Sequence, residues 1–343
     1  MSSWQSLLRS DPTGWLLEES NPSVRYYTLR DLLDLPEHDP QVVEAREGIM
    51  AGGPVPRILE RQQPGGYWGK AEDFYIRAKY RGTVWNFILL AELGASGEDP
   101  RIRQACEFIL AASQDRQSHG FAYQSRALSG GDPDALIPCL TGNMLFGLIR
   151  FGYLCDPRVQ AGIEWLLRYL RISDGDSPRP ANLPFRAPAK CWEKHSCHMG
   201  VVKPLKALAE IPPDQRSEEI NCLVQMGAEY LLKHRIYMSS RYPDRVRMQR
   251  WLNFGFPLFY NTDALEILLL LTRLGYHDER MQPAFDYLLE KQDDQGRWPL
   301  ETSFNDRMLV TIEQEGRPSK WITLFALQVI KNYVPVYSAS SCS

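Results

Sequence analysis

The sequence has no marked excess of charge of either sign, and its apolar runs are short. Its 39 basic and 42 acidic residues give a formal net charge of −3, whereas a protein that binds nucleic acid shows a basic excess. An apolar run such as Ile267 to Leu271 is far too short to span a bilayer. The composition therefore argues against nucleic acid as the main partner and against a transmembrane segment.

Signatures of secretion and of a disulfide framework are lacking as well. The seven cysteines are odd in number and scattered along 343 residues, which is more typical of a reducing compartment. Residues 1–6 show no basic region followed by a long apolar run, so no signal peptide is expected. We therefore predict a cytoplasmic protein, and we expect the small, polar tail at 338–343 to be disordered.

Common catalytic signatures are also missing. The sequence contains no glycine-rich phosphate loop, no dinucleotide fingerprint and no Ser-His-Asp order. The architecture is therefore the first thing to establish.

One short phrase that begins with aspartate recurs through the chain. Asp followed by Pro supplies an N-cap and a first helical turn, because Pro lacks an N–H that would be unsatisfied there. Copies lie roughly 60 residues apart, and self-similarity at a fixed long period predicts a helical-repeat protein. The copies are Asp39-Pro40, Asp99-Pro100-Arg101, Asp156-Pro157-Arg158, Asp214-Gln215-Arg216 and Asp278-Glu279-Arg280.

A second, more apolar helix is predicted upstream of each phrase. Such helices are buried, while helices with one apolar face lie outside them. Several end at a glycine in the place of a left-handed C-cap, namely Gly94, Gly152 and Gly275. We predict an all-α fold, a single α/α toroid of about six helical hairpins over residues 1–337, with an open superhelix as the alternative. The predicted inner helices cover 24–33, 83–93, 141–151, 198–209, 263–274 and 320–331.

A second repeated element combines Gln, Gly and Trp. Its full form runs from Tyr287-Leu288 through Gln292 and Gly296 to Trp298, and Gln62, Gly66 and Trp68 repeat its second half. A degraded copy is Gln114 with Gly120-Phe121. This pattern resembles the repeat of squalene–hopene cyclases and of the β-subunits of protein prenyltransferases. The resemblance implies an α/α toroid with a hydrophobic substrate in its central cavity, and a fold of this kind hosts many chemistries.

Soft metal ligands gather before the fourth inner helix. Aligned on the stop glycines, Cys139 and Cys197 share one register, and His198 shares the next with Asp263. Cysteine, histidine and carboxylate are the ligands that zinc takes. The predicted zinc ligands are Cys139, Cys191, His195, Cys197 and His198.

Two other interpretations of this cluster stay open. The cysteines and histidines are then plain buried residues, or His195 or His198 acts in catalysis without a metal. The resemblance implies a catalytic zinc, because prenyltransferase β-subunits hold one with Asp, Cys and His. Their Asp-x-Cys ligand pair has no counterpart in this sequence.

Asp263 is the candidate acid. Class II terpenoid cyclases protonate their substrate with the middle Asp of an Asp-x-Asp-Asp motif, which is absent here. Asp263 begins a predicted inner helix, and burial would have to raise its pKa against the helix N-terminus, which lowers it. An N-cap or a metal ligand is the alternative role for Asp263. His195 is the second candidate for catalysis.

Basic and aromatic residues are predicted at a mouth formed by the N-termini of the inner helices. The basic ones would bind an anion such as a diphosphate, and the aromatic ones would line an apolar pocket and stabilise a carbocation. Solvated loops and ordinary core packing are the respective alternatives. The predicted substrate-binding residues are Arg81, Trp85, Arg245, Arg247, Arg250, Tyr260, Lys320 and Trp321.

The leading functional hypothesis is an enzyme similar to terpenoid cyclases and prenyltransferases. It binds a hydrophobic isoprenoid, with or without a diphosphate, and uses zinc. A non-catalytic scaffold with a structural metal site is the second hypothesis. A carbohydrate-active toroid with paired carboxylates is the third. The sequence gives no oligomeric state.

Overall fold

The computed structural model describes residues 3–75, 79–125, 128–178, 183, 185 and 191–334. Within these ranges one short antiparallel sheet is present, in which β1 (Trp298–Pro299) pairs with β2 (Pro318–Ser319). The α-helices in chain order are α1 (Thr13–Leu16), α2 (Pro22–Tyr27), α3 (Pro40–Ala51), α4 (Pro54–Leu59), α5 (Thr83–Glu92), α6 (Pro100–Ala112), α7 (Pro138–Arg150), α8 (Pro157–Tyr169), α9 (His198–Ala209), α10 (Glu218–Lys233), α11 (Ala264–Arg273), α12 (Gln282–Glu290) and α13 (Lys320–Tyr333). The all-α class is therefore confirmed. The tail 338–343 lies outside the described residues, and the single domain over 1–337 stays a prediction.

Aspartate caps a helix in four of the five recurring phrases. Each of these carboxylates accepts a hydrogen bond of 2.8–2.9 Å from the N–H two residues on, at Asp39, Asp99, Asp156 and Asp278. The fifth phrase differs, because Asp214 lies in a 3-10 turn (Pro213–Gln215). There Ser217 caps α10 by accepting a hydrogen bond from the N–H of Ile220 at 3.3 Å. The prediction of a helix start at Asp214 is therefore wrong by a few residues.

The second helix of each repeat is buried, as the sequence predicts. Nearly every side chain of α5, α7, α11 and α13 is buried. Three of these helices stop at a glycine with positive φ: 77° at Gly94, 87° at Gly152 and 83° at Gly275. Glycine adopts this left-handed conformation without strain, so it closes the helix.

The Gln/Gly/Trp element ties neighbouring repeats together. Trp68 donates its indole N–H to the carbonyl of Ile58 at 2.8 Å, and Trp298 does the same to Leu288 at 2.7 Å. Gln62 donates its amide N–H to the carbonyl of Arg101 at 2.8 Å, at the start of the next outer helix. The repeated element is therefore a structural joint.

The same joint closes the helices into a ring. Gln292 accepts a hydrogen bond of 2.7 Å from the backbone N–H of Arg9, so the N-terminal segment takes the position of a following repeat. A Cβ on Gly296 would lie 2.0 Å from the carbonyl oxygen of Ser10. Helix α13 packs on α11 on one side and on α2 on the other. The N-terminal segment carries only short helices, so the number of six hairpins stays a prediction.

The connections differ greatly between the two ends of the ring. At the N-terminal ends of the inner helices the connections are long, as in 113–137, 234–263 and 291–319. At the C-terminal ends they are short, as in 93–99 and 151–156. Loops therefore cover one end of the ring much more fully than the other. No helix in the described part of the chain is both long and apolar enough to cross a membrane.

Candidate active site

A cavity lies between the inner helices, at the centre of the ring. Its empty space, which includes solvent at the open mouth, is about 880 Å³, and about 90 Å³ of it can hold the centre of a water molecule. Helices α5, α7, α9, α11 and α13 all contribute to its wall, together with Tyr27 of α2 and a loop at 255–258. The apolar side chains of the wall are Phe256, Leu258, Leu265, Leu269, Leu270, Trp321 and Phe325. The charged side chains are Glu92, Arg150, Lys206, Glu210, Asp263, Glu266 and Arg273.

An aromatic cluster closes the N-terminal end of the ring. Tyr80 stacks on Phe304 with ring centroids 4.4 Å apart. Trp85 meets Tyr260 at 5.0 Å and Phe259 at 5.3 Å. These rings come from three of the long connections and from the first turn of α5. The sequence predicts a mouth at this end, and in the described part of the loops aromatic side chains occupy it.

The cavity opens instead towards the C-terminal ends of the inner helices. Two polar recesses adjoin it there and share wall residues with it. Arg150 and Glu210 line both the cavity and one recess, and Arg273 and Gln328 line both the cavity and the other. The charged end of the cavity is therefore its entrance.

Asp263 lies in the wall of the cavity, at the N-cap of α11. One carboxylate oxygen accepts a hydrogen bond of 2.8 Å from the N–H of Glu266, and the other accepts one of 2.9 Å from the N–H of Gly255. The side chain is only 1% exposed. Burial raises the pKa of the Asp263 carboxyl to about 7, and the nearby Glu266 carboxylate adds to the rise, while the two backbone hydrogen bonds oppose it. Burial therefore outweighs the helix N-terminus.

A buried ionic network lies next to Asp263. The ammonium of Lys203 is 2.7 Å from both carboxylate oxygens of Glu266, and the ammonium of Lys206 is 3.2 Å from one of them. Lys206 also pairs with Glu92. Burial alone would raise the pKa of Glu266, but the two lysines hold that pKa below its ordinary value. One helical turn thus carries a carboxyl that is partly protonated at neutral pH and a carboxylate that has lost its proton.

Trp321 and Phe256 form an aromatic wall beside the acid. Their rings stack with centroids 4.3 Å apart and planes 16° apart. Phe325 meets the Trp321 ring at 5.6 Å. Phe256 directly follows Gly255, which donates to Asp263. The acid therefore faces a cavity with aromatic and aliphatic sides. Of the predicted substrate-binding residues, Trp321 is the one that lines it.

The predicted basic residues lie away from the cavity. Arg81 donates to the carbonyls of Arg307 at 3.0 Å and Asp306 at 3.1 Å. Lys320 pairs with the carboxylate of Glu18 at 2.7 Å. The remaining three are exposed on the connection after α10, namely Arg245, Arg247 and Arg250. Trp85 and Tyr260 belong to the aromatic cluster that closes the ring.

The predicted zinc ligands separate into two groups. The thiols of Cys139, Cys191 and Cys197 are near one another: burial raises the pKa of Cys139, and the other two add to the rise. His195 instead lies with its Nδ1 3.5 Å from Asp174, and half of its side chain is exposed.

His198 is buried elsewhere, with its Nδ1 3.1 Å from the hydroxyl of Tyr230 and its ring against His234. Among the described residues no three His, Cys, Asp or Glu side chains are grouped so as to hold a metal ion. The described residues therefore do not fit the predicted zinc site. A zinc requirement stays a prediction that the donor geometry does not support.

The sequence analysis misses the charged residues of the cavity, although a signal for them exists. Glu92, Arg150 and Arg273 each stand two residues before a stop glycine, in helices that are otherwise apolar. A charge repeated at one register of buried helices indicates a shared polar surface. The predicted charged residues lie instead at the N-terminal ends of the inner helices.

The sequence matches no protein-family model, and no curated protein matches it at a significant level. Among solved structures, the apo form of the type II terpene cyclase MstE from Scytonema is 17% identical, with a TM-score of 0.41, over 91% of this chain and 87% of that one. A protein from Actinoplanes is 15% identical, with a TM-score of 0.44, over 92% of this chain and 90% of that one. The GH76 α-mannanase BT2949 from Bacteroides thetaiotaomicron is 11% identical, with a TM-score of 0.39, over 73% and 68%.

Proposed function

We propose that this protein is an isomerase that protonates an alkene-bearing, isoprenoid-like substrate in its central cavity, with Asp263 as the general acid. The observation that carries the proposal is the buried carboxyl of Asp263 in the wall of a cavity with aromatic and aliphatic sides. The resemblance of the Gln/Gly/Trp repeat to that of squalene–hopene cyclases agrees with it. A diphosphate is left out, because the basic side chains of the wall, Arg150, Lys206 and Arg273, are accompanied there by the carboxylates of Glu92, Glu210 and Glu266. A zinc ion is left out, because the described residues contain no group of three metal ligands.

The proton is held where the reaction needs it. With a pKa of about 7, Asp263 is about half protonated at neutral pH, whereas an exposed Asp carries almost no proton. After the proton moves to an alkene carbon, the negative charge left on Asp263 faces the N–H groups of Glu266 and Gly255. Those hydrogen bonds are stronger to the carboxylate than to the acid, so they favour the transfer.

The walls suit the cation that such a transfer creates. Protonation of one alkene carbon leaves the positive charge on its neighbour, and a second double bond of the same molecule then closes a ring. The stacked faces of Phe256 and Trp321 lie beside the acid, and an aromatic face stabilises a nearby cation by about 0.5–2 kcal/mol. Loss of a proton from the final cation completes an isomerisation with no net change in atoms.

The network around Glu266 argues against this residue as the partner of Asp263 in a carbohydrate-active enzyme. A glycosidase needs a second carboxylate that is free to act as nucleophile or base. Both oxygens of Glu266 bind the ammonium of Lys203 at 2.7 Å, so this carboxylate is already paired. The non-catalytic hypothesis predicts binding without turnover, so a turnover assay distinguishes it from the proposed isomerase.

The test uses linear prenyl alcohols and prenyl acids of ten to twenty carbons, incubated with the purified protein in D₂O. We expect cyclic isomers that carry one deuterium from solvent, detected by mass spectrometry. Asp263→Asn removes the acid but keeps a good N-cap, and it should lower turnover by at least 10³-fold, a loss of about 4 kcal/mol. Asp156→Asn is the matched control, since Asp156 caps an outer helix far from the cavity. Equal turnover in Asp263→Asn and wild type would refute the role of Asp263. Binding without turnover in wild type would refute the proposal that the protein is an enzyme.

A further inference from the structure

Arg150 is a largely buried cation of the cavity wall that has no carboxylate within hydrogen-bonding distance among the described residues. It ends α7 and lines both the cavity and the adjoining polar recess. Its guanidinium donates to the hydroxyl of Tyr27. The nearest carboxylate in the described part of the chain, Glu210, is 3.9 Å away, beyond hydrogen-bonding distance. Lys206, by contrast, binds the carboxylates of Glu92 and Glu266. Arg273 donates to the neutral amide of Gln328 at 2.8 Å and lies 3.8 Å from Asp31, but its side chain is 35% exposed, against 15% for Arg150.

The surroundings of Arg150 leave its N–H edge available. The guanidinium carbon lies over the ring of Tyr27 at 5.2 Å and over that of Phe146 at 5.4 Å. Aromatic rings cover the faces of the guanidinium but accept none of its in-plane N–H groups. Arginine has five such donors, and one of them meets Tyr27. The others have no hydrogen-bond partner among the described residues, so they are available to water or to an acceptor group of a ligand in the cavity or in the recess that Arg150 lines.

Arg150 and Asp263 lie at opposite ends of the cavity. The stop glycines Gly152 and Gly275 mark the same height at the C-terminal ends of α7 and α11. Arg150 lies two residues before Gly152, whereas Asp263 lies twelve residues before Gly275, at the start of its helix. Counted from those glycines, the two levels differ by about ten residues, or about 15 Å along the helices. A zigzag carbon chain advances about 1.25 Å per bond, so about twelve bonds span this distance.

We propose that the substrate is an amphiphilic carboxylic acid whose carboxylate is held by Arg150 and whose unsaturated chain of about twelve carbons reaches Asp263. This inference rests on the proposed function for the role of Asp263. A guanidinium edge matches a carboxylate with two parallel hydrogen bonds. A diphosphate fits poorly, because Glu210 and Glu92 line the same cavity and would repel a multiply charged group. The head group then stays at the entrance, and the far end of the chain reaches the acid.

The test measures binding by titration calorimetry with three probes of one chain: farnesoic acid, farnesol and farnesyl diphosphate. We expect wild type to bind the acid at least tenfold more tightly than the alcohol and the diphosphate. Arg150→Gln should remove the preference for the acid and leave binding of the alcohol within threefold. Binding of all three probes with equal affinity, or an unchanged preference in Arg150→Gln, would overturn the inference. Tightest binding of the diphosphate would overturn it as well.

A second variant guards against misfolding of Arg150→Gln. Glu210→Gln keeps Arg150 and removes the nearby negative charge, so the acid should bind several-fold more tightly and the alcohol equally well. A weaker affinity of this variant for the acid would contradict the inference.

Turnover of the same three probes by the wild type is measured alongside binding. A preference for the acid without turnover would therefore refute the proposed function while the head-group site stands. Turnover of alcohols and acids alike, without a preference in binding, would refute the head-group site while the proposed function stands.

Discussion

The raised pKa of Asp263 has a consequence for stability that needs no knowledge of the substrate. In the unfolded chain this carboxyl has an ordinary pKa of 3.8, and in the folded protein burial raises the pKa to about 7. Between these values the folded state binds a proton that the unfolded state releases. Its contribution to stability is therefore complete below about pH 4 and is lost as the pH rises through 7.

The size of the effect follows from the two pKa values. Between pH 5 and pH 8 the wild type should lose about 2.5 kcal/mol of unfolding free energy because of this one group. Asp263→Asn carries no titrating group at this position and should lack that part of the pH dependence. Glu266 and the lysines titrate in both proteins, so their contribution cancels in the difference.

The assay is urea unfolding at pH 5, 6, 7 and 8, followed by circular dichroism, for wild type and Asp263→Asn. The unfolding free energy of the wild type minus that of the variant should fall by about 2.5 kcal/mol from pH 5 to pH 8. A constant difference across this range would show that the carboxyl titrates normally. The reasoning about burial, and with it the proposed acid, would then be refuted.

Two further predictions concern the framework of the ring. Lys203→Met should lower the unfolding free energy by about 3–5 kcal/mol, because it leaves the Glu266 carboxylate buried without its closest partner. Lys203→Met combined with Glu266→Leu should recover most of that loss, and no recovery in urea unfolding would contradict the pairing. Gly66→Ala should cost at least 2 kcal/mol more than Gly69→Ala. Both glycines have positive φ, but a Cβ on Gly66 would lie 2.2 Å from the carbonyl oxygen of Gln104, and a Cβ on Gly69 meets nothing within 4 Å; equal melting temperatures would contradict this.

The sequence predicts the framework well because the signals that build it are local. A helix N-cap such as Asp99 and a stop such as Gly94 act within a few residues of themselves. Gln62 and Trp68 act over one repeat, so their spacing recurs with it. The exception at Asp214 has the same origin, since the nearby Ser217 competes for the cap and wins.

The open end of the cavity was not predictable in the same way. Periodicity indicates which helices are buried, but it does not describe how a connection such as 234–263 folds. That connection brings Phe259 and Tyr260 onto Trp85 and closes the N-terminal end. Of the basic residues that the prediction places there, Arg81 binds backbone carbonyls, Lys320 pairs with a carboxylate, and the other three are exposed.

The acid was predictable in position but not in character. The register of the stop glycines places Asp263 at the start of an inner helix. Burial raises its pKa and two backbone hydrogen bonds lower it, and only the folded structure shows that the residue is 1% exposed, so that burial has the larger effect. The zinc prediction depends on the folded structure in the same way, because Cys197 and His198 are adjacent in sequence but have different neighbours in space.

The hydrogen bond between Gln292 and Arg9 joins parts of the chain that are 283 residues apart. Bringing such distant segments together costs about 5 kcal/mol of chain entropy, whereas the joint at Gln62 closes a loop of a few dozen residues. During synthesis α2 therefore has no α13 to pack against until the last inner helix has been made. We expect the contact between α2 and α13 to form last in folding and to be the first place at which the ring opens in local unfolding.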